Sequence, residues 1–181
     1  MGYRGFPVFS QWQTPSGACC FKMHKFWGRR ACGIACLQAV LLHLRGVRAP
    51  LVELAEEVLS VGGYDVQKER VPGLIYAPFA AYLADRWSIR ATVAAPLPIS
   101  ELVSWLERDS LAIASVHHSI RDAPKWPLRT GGHLVTVWRH SEGRLSFMNP
   151  SEVEELRQRA RLRVEMFDRY YARRAVLIHP A

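Results

Sequence analysis

The chain is poor in several features at once, and each shortage excludes something. No uninterrupted apolar run approaches the roughly 18 residues that a membrane-spanning helix needs. The opening stretch, Met1 to Pro7, has no apolar h-region, so no secretory signal is expected. Only four cysteines occur, at positions 19, 20, 32 and 36. Confined to the first fifth of the chain, they make no disulfide framework for the whole, and a reducing, cytoplasmic setting is expected. There is no glycine-rich phosphate loop, no basic–aromatic array of the kind that reads single strands, no repeat and no low-complexity segment. Acidic residues are also in deficit, 16 Asp+Glu against 24 Lys+Arg, for a net charge of +8. Such a balance suits an acidic partner, whether a peptide, a carrier protein or a nucleic acid. The basic residues are spread along the chain, so nucleic-acid binding ranks last among these.

What is present is an ordinary globular composition. With 181 residues, 49% of them hydrophobic, the chain fits a single domain over 1–181 and can bury a core without staples. Residues 1–30 look like an irregular N-terminal arm whose aromatics, Phe9, Trp12, Phe21, Phe26 and Trp27, need burial. From Ala31 the spacing of Ile34, Leu37, Leu41 and Leu44 predicts a helix that Gly46 stops. Pro50 opens a second helix, which Gly62-Gly63 end, and a third follows Pro72-Gly73. A short strand is expected over 89–94, then a fourth helix capped by Ser100. Leu111 to Val116, nearly all apolar, reads as a buried central strand.

His133 to Trp138 and Leu145 to Asn149 flank Ser141-Glu142-Gly143 and read as a hairpin. Residues 151–163 are ambiguous. Ser151 and Glu154 have capping-box spacing, yet Arg157, Arg159, Arg161 and Arg163 alternate like a strand face, most simply a solvated edge. A short helix around 166–171 and a strand over 175–178 close the chain. Helices first and strands later make an α+β pattern, with the N-terminal helices packed on an antiparallel sheet.

Three residues stand out for chemistry. Cys32 opens the first strong helix. A helix N-terminus offers unpaired N–H groups and about half a positive charge, both of which favour thiolate. Gly33, lacking a side chain, leaves room for a substrate carbonyl. A packed, inert cysteine is the plainer alternative. His133 and Asn149 lie on the two arms of the hairpin. Pairing across a turn centred between 141 and 142 sets index sums near 283, so the two should be near-opposite. The Asn oxygen can then accept from one imidazole nitrogen and leave the other facing a nucleophile. A merely structural polar pair is the plainer alternative here. Nucleophile, base and orienter in that order follow the logic of a Cys-His-Asn triad.

Cys32-Gly33-Ile34-Ala35-Cys36-Leu37, Gly131-Gly132-His133-Leu134-Val135 and Asn149-Pro150-Ser151 resemble the three motifs of the papain-fold cysteine peptidases that process bacteriocin leader peptides, and of their stand-alone relatives. Phe9-Ser10-Gln11-Trp12 is similar to the family's segment carrying the oxyanion glutamine. Residues 73–79 and Ala114-Ser115-Val116-His117 also resemble soluble bacterial members, so the resemblance runs from about Phe6 to Ile178. It implies a papain-like fold, Cys32 as nucleophile, His133 as general base and then acid, and Asn149 as orienter. Gln11 would donate to the oxyanion beside the backbone N–H of Cys32. The Gln11-to-Cys32 separation is long for the family, and Gln13 competes for the role. The orienter is Asn where Asp also occurs. The resemblance implies attack on an amide or thioester through an acyl-enzyme, with no metal or organic cofactor. The substrate would be a peptide or an acyl carrier, and the outcome peptidase, acyltransferase or peptide ligase. A catalytically idle binding module is the alternative.

Other features carry plainer expectations. Cys19, Cys20, His24, Cys32 and Cys36 have zinc-ligand chemistry but no Cys-x2-Cys pair. Cys36 is expected in the core. His117 and His118 end a strand, where a hydrogen-bonded structural role is the default. Trp12, Trp27 and Trp105 are expected to pack rather than to line a groove.

Overall fold

The computed structural model describes residues 5–12, 26–65, 73–123, 126–127 and 129–180. The first helix, α1 (Cys32–Arg45), ends where Gly46 adopts a left-handed φ of 67° and its N–H closes on the Leu42 and Leu41 carbonyls. Helix α2 (Leu51–Ser60) starts behind Pro50 and buries Leu51, Leu54, Ala55 and Val58 along one stripe. Helix α3 (Tyr76–Trp87) buries Phe79, Ala80, Tyr82 and Leu83. Helix α4 (Ile99–Leu106) has Pro98 at its N-cap and no side-chain cap, so Ser100 lies inside the first turn rather than at the cap. Pro98 preset the chain direction two residues earlier, and its missing N–H costs nothing there.

Among the described residues, six strands form one antiparallel sheet in the order β1-β6-β2-β3-β4-β5. They are β1 (Ala91–Ala94), β2 (Leu111–His117), β3 (Gly132–Ser141), β4 (Arg144–Met148), β5 (Arg159–Arg163) and β6 (Tyr171–Ile178). A 3-10 turn (His118–Asp122) and two short helices, α5 (Glu155–Gln158) and α6 (Val164–Asp168), connect them. The segment left ambiguous in sequence therefore divides. Glu154, not Ser151, is the N-cap of α5, which holds Arg157, while Arg159, Arg161 and Arg163 alternate on edge strand β5.

The sheet is covered on both faces. Ile34, Leu37, Leu41, Phe79 and Leu83 pack with Ile113, Leu134 and Val176 on one side. Leu102, Leu106 and Phe167 pack with Ala112, Ala114, Val135, Val137 and Phe147 on the other. A strand buried on both faces has no polar side to show, which is why every residue of β2 is buried and its sequence does not alternate. The expected arrangement, helices on an antiparallel sheet, is present, with α4 and α6 adding a layer on the second face.

Gly5–Trp12 forms neither helix nor strand. Phe6 and Phe9 are nonetheless buried, and the Phe6 ring stacks on Trp138 at 4.8 Å. Trp27 is 1% exposed and belongs to the core. Trp105 donates to the Leu111 carbonyl at 2.9 Å, whereas Trp12 is half exposed. No described helix is long and apolar enough to cross a membrane. Cys19, Cys20, His24, Gln13 and Phe21 lie outside the described residues. Among the described residues no cluster of His, Cys, Asp and Glu could hold a metal ion.

Candidate active site

The ends of α1, α3 and β3 meet at a cleft of about 500 Å³ whose walls include Cys32, Leu74, Tyr76, Ser115, Gly132, His133 and Arg174. A larger hollow of about 660 Å³, lined by the N-terminal segment and by Arg48, Glu155 and Arg159, contains no cysteine or histidine.

Cys32 is the first residue of α1 and is partly exposed. The N-cap, Ala31, has no side-chain acceptor to offer the first-turn N–H groups. Burial pushes the Cys32 thiol above its ordinary range, while hydrogen bonding from the backbone of Leu134, Gly33 and Cys32 itself pulls it back down. Gly33 does not leave open space beside the sulfur. A Cβ there would meet Leu74 at 2.8 Å and Leu134 at 3.0 Å, so the missing side chain lets the 73–75 loop and β3 close against the helix start.

His133 is 5% exposed near the start of β3. Its Nε2 lies 2.8 Å from Asn149 Oδ1. Ser151 fixes the sense of that bond. Its backbone N–H (3.3 Å) and its hydroxyl (2.9 Å) both donate to the same Oδ1. A backbone N–H can only donate, so the Asn149 atom it meets is the oxygen, and His133 Nε2 must carry the proton. Nδ1 is then the unprotonated nitrogen, free to accept one. Asn149 is held in turn by its own N–H, which donates to the Gln158 carbonyl at 2.8 Å. The hydroxyl of Ser151 was not assigned a role from sequence, because the Ser-x-x-Glu spacing pointed to a helix cap instead.

The contact between His133 and Asn149 is diagonal, not direct. Near the turn the pairs sum to 285 (Ser141↔Arg144), and past a bulge they sum to 284 (Thr136↔Met148). Continued by one step, Asn149 falls opposite Val135, two residues along from His133. Glu142 and Gly143, with φ of 53° and 66°, form the turn, one position later than the sequence arithmetic placed it. Diagonal neighbours on one face remain within reach of long side chains.

Burial drives the His133 imidazole down to about 4, against the hydrogen bond it donates to Asn149, and the nearby charges of Arg121 and His118 add to the lowering. At neutral pH the resting site holds a neutral imidazole and a thiol. Among the described residues the imidazole's hydrogen bond is the one to Asn149. Cys32 and His133 both line the cleft.

Gln11 lies beside the orienter rather than in the wall of the cleft. Its N–H donates to the Pro150 carbonyl at 2.8 Å, and its Nε2 donates to the Gly28 carbonyl at 2.7 Å. Its Oε1 is buried without a partner. Trp12 completes the clasp, its Nε1 donating to the Ser151 carbonyl at 3.1 Å. His117 meets Ser119 Oγ at 2.7 Å, the ordinary strand-end arrangement. Cys36 is fully buried, next to Thr136.

A helix-borne cysteine, a sheet-borne histidine and a central antiparallel sheet in this order make a papain-like cysteine peptidase fold. Two solved structures share it over nearly their whole length. The peptidase domain of Streptococcus ComA, a bi-functional ABC transporter involved in a quorum-sensing pathway, is 13% identical, with a TM-score of 0.61 and coverage of 98% of this chain and 100% of that one. A protein described as a C39-like peptidase from Bacillus anthracis is 12% identical, with a TM-score of 0.67 and coverage of 97% and 95%. At such identities the likeness is one of fold. No protein-family model matches the sequence, and no curated protein matches it.

Proposed function

We propose that this chain is a cysteine peptidase that cleaves a peptide through an acyl-enzyme on Cys32, in a peptide-maturation or natural-product pathway. The observation that carries this reading is the chain of hydrogen bonds from Ser151 through Asn149 to His133, ending at a cleft that Cys32 also lines.

On this reading each step falls to a named group. His133 Nδ1 takes the thiol proton as Cys32 Sγ bonds to the substrate carbonyl carbon. The imidazolium that forms keeps its Nε2–H on Asn149. The oxyanion meets the free N–H groups at the start of α1, the Cys32 N–H among them. His133 then returns the proton to the leaving nitrogen as the C–N bond breaks, which leaves a thioester. Water, deprotonated by His133, releases the acid and frees the sulfur. Gln11 would serve the oxyanion only by turning its amide from the Gly28 carbonyl toward the cleft. The same thioester passed to an amine instead of water would make the chain an acyltransferase.

Digestion of a defined peptide mixture, followed by mass spectrometry, tests the reading. Cleavage that requires Cys32, with a peptidyl adduct trapped on that residue at low pH, is the expected result. An added primary amine that diverts the acyl group into an amide in preference to water would shift the assignment to acyl transfer. No cleavage and no adduct with any peptide would overturn it.

A further inference from the structure

Arg174 enters the cleft through a distortion of β6 that no part of the triad explains. Ala114 pairs with Ala175 and Val116 pairs with Tyr171, so the three residues 172–174 stand opposite the single Ser115. Two extra residues are therefore looped out of β6 at this point. Arg173 takes a left-handed φ of 51°, a conformation that costs energy in a residue with a long side chain. The loop is pinned from outside, because Leu97 donates to the Arg173 carbonyl at 2.7 Å. Bulges of this kind re-aim a side chain. Here the side chain re-aimed is Arg174, which lines the same cleft as Cys32 and His133.

Its surroundings are fitted to it. Arg174 Nε donates to Ser115 Oγ at 3.4 Å, and Tyr76 hydrogen-bonds with both Ser115 and Arg174. Gly131 passes directly beneath the guanidinium. A Cβ there would lie 3.1 Å from Nη2, and its φ of 87° suits glycine alone. None of the ion pairs among the described residues uses Arg174. Two arginines of edge strand β5 contrast with it. Arg159 and Arg161 are bound to Glu155 and Glu142 at 2.6 and 2.9 Å. Arg174 is exposed to the cleft, oriented by neutral groups, and presents a planar fork suited to a carboxylate.

We propose that Arg174 is a specificity-determining residue that binds a carboxylate of the substrate beside the scissile bond. This rests on the peptidase reading of the same cleft. The carboxylate comes from one of two sources, an Asp or Glu side chain near the cleaved bond or the free C-terminus of a short peptide. Either would meet a charge already oriented by Ser115 and Tyr76, so little ordering cost remains at binding.

The test is cleavage-site profiling of a peptide library by mass spectrometry, followed by kinetics on the best peptide. That peptide is made with Glu, with Gln in its place, and with its C-terminus as acid or amide. The wild-type enzyme is expected to favour the carboxylate form of one of these pairs by about ten- to a hundredfold in kcat/KM. Arg174→Gln should bring that ratio close to one, and Arg174→Glu should invert it toward Lys or Arg at the same position. Loss of the Glu/Gln difference identifies a side chain as the source, and loss of the acid/amide difference identifies a C-terminus. Arg174→Lys keeps the charge without the fork and should keep part of the ratio. Cleavage with no acidic preference, or a preference that survives Arg174→Gln, would overturn the assignment while leaving the peptidase reading intact. No cleavage by the wild-type enzyme would overturn both.

Discussion

Cys32 and Cys36 stand one turn apart on the same helix, and burial pushes both thiols upward. Everything else about them differs. Cys36 is fully buried within the apolar core, and a charge on Cys32 raises it further. Cys32 occupies the first turn, partly exposed, with three backbone groups lowering its pKa against the burial. On the proposed reading, helix position, not the element or the residue type, separates a nucleophile from a packing residue. Only the first turn leaves N–H groups unspent, and only there does the helix end open onto the cleft.

The largest test of this contrast is a pair of substitutions. Cys32→Ala should lower kcat by about 10⁴-fold or more, with thermal unfolding nearly unchanged. Cys36→Ala should do the reverse, holding kcat within a few-fold while lowering unfolding free energy by about 1–2 kcal/mol. A Cys36→Ala enzyme as inactive as Cys32→Ala would erase the distinction. Asn149→Ala comes next, since it frees the imidazole to rotate and lose its tautomer. A fall in kcat of roughly a hundredfold is expected from steady-state kinetics.

The pH profile sharpens the comparison from the histidine side. His133 must be neutral to take the Cys32 proton, so kcat/KM should hold down to mildly acid pH and fall as pH drops through about 4. Asn149→Asp should move that limb upward, because a carboxylate favours imidazolium. The same depressed pKa has a stability consequence. The unfolded chain takes up this proton near the ordinary value of 6.5 and the folded chain only near 4, so stability is lost as pH falls between them. Urea unfolding at a series of pH values measures it. The smallest effect belongs to Ser151→Ala. It removes one of three donors to Asn149 Oδ1 and should cost about fivefold in kcat.

Much of the fold could be read from spacing. Gly46, Pro50 and the Gly62-Gly63 pair act through backbone constraints that need no tertiary context, so the helix limits fell close to where they were expected. β2, β3 and β4 were legible from apolar runs, whereas β5, with the sequence RARLR, was left ambiguous and β6 was read only over 175–178. What escaped was set by contacts far off in the chain. The hairpin register departs from the expected one because Glu142 and Gly143 set the turn one position later, and a bulge between Val137 and Arg139, which no local pattern announces, takes back only part of the shift. Ser151-x-x-Glu154 matched a capping box, yet the hydroxyl was taken by Asn149. The bulge at Arg173 is held by Leu97 from another part of the chain, and an arginine in a left-handed conformation has no sequence signal. Gly33 was expected to leave room for a substrate carbonyl, and instead Leu74 and Leu134, brought from far along the chain, close against it. The candidate triad was visible as three motifs. The hairpin arithmetic brought His133 and Asn149 together, as their 2.8 Å contact bears out, though on the diagonal; that Cys32 lines the same cleft could not be read from spacing.

The clasp of Phe9, Gln11 and Trp12 on the 148–151 stretch has a kinetic meaning. Phe9 N–H meets Met148 Sδ at 3.2 Å, and Gln11 and Trp12 donate to the Pro150 and Ser151 carbonyls. These bonds join residues 139 positions apart, among the most distant pairings the chain makes. Closures of that span form after local helices and hairpins, because their entropy cost precedes their reward. The backbone that carries Asn149 is therefore completed late. Recovery of activity after refolding should lag behind recovery of secondary structure, and the lag would time the closing of the N-terminal segment over the orienter.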